Sequence, residues 1–128
     1  MNEQEVLEYW TKSAKEDLLT AEALFAGKRY HHCLFFCHLV IEKILKALCI
    51  KQNHDAPPWT HDLNKLAQGS GQKITEKMQK DLREIGRFNI TARYDDYKFA
   101  FYKKATKEFT TTYLHKAKEI YTWFKEKL

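Results

Sequence analysis

The sequence predicts an all-α protein: an antiparallel up-and-down bundle of four long helices plus one short helix. Three observations carry that reading. Apolar residues recur at three- and four-residue intervals through most of the chain, no alternating strand period survives, and the breaks fall where glycine or proline stands. The 128 residues show no repeat, linker or low-complexity stretch, so 1–128 reads as one domain, burying roughly two-thirds of its unfolded surface.

The first helix is predicted from about Glu3 to Ala26, with Val6, Trp10, Ala14, Leu18, Ala21, Leu24 and Phe25 facing inward and Gly27 stopping it. Asp17 projects from the middle of that face, where a carboxylate needs a partner; it is read as a structural polar partner of the second helix. Gly27-Lys28-Arg29 is short enough to force an antiparallel hairpin. The second helix, ending near Asn53, carries Cys33, Cys37, Val40, Ile41, Ile44 and Leu48 on one apolar stripe. Pro57 and Pro58 cannot continue it, and Thr60 or Asp62 is placed to cap a short third helix, roughly Asp62 to Gln68. After Gly69-Ser70-Gly71 a fourth helix runs from Ile74 to about Ala92 and buries Met78, Leu82, Ile85 and Phe88 or Asn89. A last helix, about Ala105 to Lys127, aligns Phe109, Tyr113, Ile120 and Phe124.

Composition bounds the class. An apolar fraction of 44% with 18 aromatic residues is ample for a core, and 30% charged residues read as a solvated exterior. The net charge of +5 and pI near 9.0 are compatible with polyanion binding, although the lysines are spread over every predicted helix. Three cysteines, all in the second helix and unable to pair locally without distortion, imply a reducing compartment. With no charged-then-apolar leader and no run approaching the ~20 apolar residues of a bilayer span, a cytoplasmic protein off the membrane is expected.

Chemistry concentrates on one flank of the second helix, where His31, His38, Glu42 and Lys46 line up beside the apolar stripe. Half-buried polar groups are costly unless partnered or used. Two readings stay open: a pocket edge that hydrogen-bonds a base or phosphate, and an internal His38–Glu42 pair that satisfies Asp17 or the end of the third helix. Lys43 points away from that edge and is read as exposed, within reach of Asp17. Thr60-His61-Asp62 opens the third helix, where amide groups favour an anion, so His61 is either a phosphate contact or part of a capping turn. Arg93, with Tyr94, Asp96 and Tyr97, combines a bidentate phosphate donor with faces that stack on bases. Cys33 and Cys37 lack the short-loop spacing of a zinc site, and four glycines give no phosphate-cradling loop, so neither metal nor cofactor is expected.

Asp17-Leu18, Cys37-His38 followed by Glu42-Lys43 and Lys46-Ala47-Leu48, Thr60-His61-Asp62-Leu63 and Ala92-Arg93-Tyr94, in that order, resemble the HEPN domain over nearly the whole chain. The resemblance implies a small helical bundle, usually a homodimer, that binds a nucleotide or RNA and is often the partner of a minimal nucleotidyltransferase in a toxin–antitoxin-like pair. His38, Glu42, Lys46, His61 and Arg93 are the nucleotide-binding candidates under that reading. Other family members are metal-independent ribonucleases in which an arginine is followed after four to six residues by histidine. Here the corresponding positions are Lys98, Phe99 and Ala100 after Arg93, and Ala92, Arg93 and Tyr94 after Arg87. A ribonuclease would have to use a degenerate motif, Arg93 with Tyr97 or Tyr102, so no catalytic residue is assigned. A non-catalytic dimeric scaffold presenting Tyr113, Tyr121 and Trp123 is the third reading.

Overall fold

More than half of the 24 residues of the second helix are buried, and this one element makes the core. A computed structural model of the chain describes residues 1–91 and 100–128. The elements are α1 (Glu3–Ala26), α2 (Tyr30–Asn53), α3 (Leu63–Gly69), α4 (Glu76–Thr91), α5 (Ala100–Lys104) and α6 (Lys107–Lys125), with no strand among the described residues. Helix α2 packs against α1, α3, α4 and α6, as its nearly continuous apolar surface requires.

The hairpin of α1 and α2 is antiparallel. Glu3 at the start of α1 meets His54 at the end of α2, and Ser13 and Asp17 meet Lys43 farther in. The turn differs from expectation in one respect: Gly27 occupies the C-cap at φ −83°, and the left-handed residue is Lys28 at φ 60°. Backbone bonds from Gly27 to Ala23 and from Arg29 to Leu24 close the helix end, so the hydrogen-bond pattern stops α1 without glycine in the strained place.

Asp62 caps α3, its Oδ1 accepting from the amides of Asn64 and Lys65, while Thr60 Oγ1 accepts from the amide of Asp62. Helix α3 runs through Gly69; the break after it is made by Gly71 at φ +75°, a conformation that costs glycine nothing. The short α5 has no counterpart in the sequence reading, because five residues are too few to show a helical period. Helices α4 and α6 run antiparallel, with Asp81 paired to Lys116 at 3.0 Å and Phe88 stacked edge-on to Tyr113. Tyr121 is buried in the core, so it cannot belong to an aromatic docking face on α6; Tyr113 and Trp123 are half-buried.

The expected inner faces of α1, α4 and α6 are the buried or half-buried ones, with Ala14, Leu18 and Ala21, then Leu82, Ile85 and Phe88, then Ile120 and Phe124 closed against α2. Phe124 is fully buried, so Phe124→Ala is expected to cost about 3–5 kcal/mol, measured as a lower urea midpoint with little change in slope.

Candidate functional site

The His38, Glu42 and Lys46 side chains stand one turn apart on α2, as residues spaced by four must. Glu42 is the hub. Its Oε1 lies 3.0 Å from His38 Nε2 and 2.7 Å from His61 Nδ1, and its Oε2 lies 3.3 Å from Lys46 Nζ. Burial alone would push the carboxyl up, but the hydrogen bonds from His38 and His61, with the charges of His38 and Lys46, outweigh it and hold Glu42 at about 2 instead of the usual 4.5. An ionised carboxylate only accepts, so both imidazoles donate to it: His38 through Nε2–H and His61 through Nδ1–H.

Exposure divides the cluster. His38 is fully buried and Glu42 is 5% exposed, whereas the His61 side chain is 60% exposed. Lys46 is nearly covered, with Nζ 5.1 Å from the centre of the Trp10 ring. The one solvent-facing member, His61, thus rests on interior partners, with Lys46 at the edge of the smaller cavity. His61 is brought there by the Pro57-Pro58 segment and the Asp62 cap, which anchor the chain immediately before α3.

Two cavities meet at His61. One, of about 390 Å³, is walled by Trp10, Lys46, Pro57, Pro58, Trp59 and His61, and Trp59 is fully exposed beside it. The other, of about 840 Å³, runs between α3 and α4 and is lined by Asn64, Gln68, Gln72, Lys73, Gln79, Arg83, Arg87 and Asn89. Arg87 pairs with Glu84 at 3.1 Å; Arg83 is exposed and makes no ion pair among the described residues.

Of the sequence candidates, the structure brings His38, Glu42, Lys46 and His61 together. Asp17 is elsewhere, ion-paired to Lys43 at 2.7 Å, so Lys43 is a core-edge partner and not the exposed lysine expected. Arg93, Tyr94, Asp96 and Tyr97 lie outside the described residues. Sequence reasoning passed over Lys73, Arg83 and Trp59 and weighed Arg87 only as the arginine of a ribonuclease motif; the available signal was Arg83 and Arg87 flanking Gly86 on one edge of α4, where a missing side chain opens a groove. The three cysteines are buried; the hydrogen bond with Cys33, then burial, push Cys37 well up, and burial pushes Cys49 to about 11 against the pull of Lys46.

The sequence profile of the HEPN domain matches residues 7–128. The chain belongs to the HEPN family. The HEPN fold is also that of two solved structures: TT1696 from Thermus thermophilus, 21% identical over 100% of both chains with a TM-score of 0.84, and ST0689, an archaeal HEPN homologue, 22% identical over 94% of this chain and 96% of that one with a TM-score of 0.77. No curated protein matches this HEPN chain. None of its described helices is long and apolar enough to cross a membrane.

The buried carboxylate fixes a pH response. A depressed carboxyl pKa contributes stability that is fully present above the unfolded value, near 4.5, and lost as pH falls toward about 2, a contribution of about 3 kcal/mol. Glu42→Gln keeps the shape and removes the charge, so its urea-unfolding deficit relative to wild type is expected to hold at neutral pH and to shrink between pH 4.5 and 2. A deficit independent of pH would contradict the ionised hub.

Proposed function

We propose that this HEPN protein binds a nucleotide or RNA in the cleft between α3 and α4, with His61 at the end where the Lys46-lined cavity adjoins it and Lys73, Arg83 and Arg87 along its length. The observation that carries the reading is the character of that cleft: about 840 Å³, a size suited to a small ligand, with three cations and several amide side chains facing one space. Guanidinium groups take phosphate oxygens bidentately, amides pair with base edges, and the exposed Trp59 of the adjoining cavity offers a stacking surface beyond His61. His38 and Glu42, being buried, serve this site by fixing the His61 ring instead of touching the ligand. Arg93 completes the same anion-binding set in this reading.

The assembly proposed with it is a homodimer in a reducing cytoplasm, serving as partner of a minimal nucleotidyltransferase. The exposed Tyr9 and Leu19 of α1 and the three free, buried cysteines support those two parts.

Calorimetric titration with ATP, GTP and a short single-stranded RNA tests the site. Arg83→Ala/Arg87→Ala is expected to weaken the best of these ligands roughly 10- to 100-fold, with wild-type affinity falling as salt rises. Equal titrations of wild type and variant with every ligand would remove the cleft as the binding site.

A further inference from the structure

The donor atoms around Glu42 have a second capacity besides holding the His61 ring at the cleft. His38 Nε2, Glu42 Oε1 and His61 Nδ1 all lie within 4.8 Å of one another. Each nitrogen already points at the same oxygen, at 3.0 and 2.7 Å, so the three groups converge on one spot. Two imidazoles and one carboxylate are the donor set of divalent zinc-type ions, and metal–ligand distances of about 2.0–2.2 Å bring such donors to roughly the separations seen here. Two ligands sit one turn apart on a rigid helix and the third follows 19 residues on, held by a capped turn. We propose that His38, Glu42 and His61 form a three-ligand site for a divalent transition ion of the zinc class, with a further coordination position open toward the cavities that His61 lines.

The surroundings set the selectivity and the strength. Imidazole nitrogen disfavours magnesium and calcium, which take oxygen ligands. Lys46 on Oε2 leaves Oε1 as the single ligating oxygen and opposes the incoming charge. A ligating His38 carries its proton on Nδ1, which is buried and has no hydrogen-bond partner among the described residues. Missing support of that kind weakens a site by about 10- to 100-fold.

The inference shares His61 with the nucleotide reading but rests on the donor geometry alone, and it is tested without nucleotide. Chelator-stripped protein is titrated with Co²⁺, followed by visible absorption, and with Zn²⁺, followed by calorimetry and thermal unfolding. Wild type is expected to bind one ion with a raised Tm, and His61→Ala, at an exposed position, to keep the helical circular-dichroism spectrum and bind at least ~100-fold more weakly. His115→Ala, which removes a surface histidine paired with Glu119, is expected to bind like wild type. Absence of saturable Co²⁺ or Zn²⁺ binding, or equal binding by wild type and His61→Ala, overturns the site.

Discussion

One buried carboxylate organises the functional end of this molecule. Taking Glu42 out of water is costly, and the cost is met only because His38, His61 and Lys46 deliver three hydrogen bonds to its two oxygens. Those donors have two structural origins: His38 and Lys46 come from α2 itself and His61 from the turn before α3. The carboxylate therefore ties the short helix to the central one, and the cavity walls follow from that tie, since both cavities share His61. A side chain without an acceptor at this position would leave His61 a surface imidazole with no partner to hold it between the two clefts.

The bundle supplies the rigidity that such a hub needs. Helix α2 is held on four sides, and its polar residues sit at the one edge where α1 and the α2–α3 connection leave room for them. Asp17 meets the same constraint differently, taking the ammonium of Lys43 across the α1–α2 interface. The buried Glu42 and the half-buried Asp17 thus both take a lysine from α2, which explains why so apolar a helix retains Lys43 and Lys46, facing different partners.

The long helices were legible because each buries one face, and burial of one face writes a period into the sequence. Glu3–Ala26 and Tyr30–Asn53 begin and end where the pattern and its breakers put them. The conformation of the α1–α2 turn was not legible, since Lys28 takes the left-handed place beside an available glycine. At the site, the His38–Glu42–Lys46 line could be read from spacing alone. The meeting of His61 with Glu42 could not, because it depends on the path of a proline-containing segment that has no period. Arg83 and Arg87 were hidden for the opposite reason: on an amphipathic helix a cleft-lining arginine and a solvated one occupy the same sequence positions. HEPN membership places the bundle in a family; the carboxylate hub gives this chain its own chemistry at that end.

The most direct measurement is the tautomeric state of the two imidazoles, read by ¹⁵N NMR of the histidine side chains at neutral pH. A carboxylate hub requires hydrogen on Nε2 of His38 and on Nδ1 of His61, with both signals changing together in Glu42→Gln. A His61 ring that behaves as a free surface imidazole, indifferent to that substitution, would contradict the account.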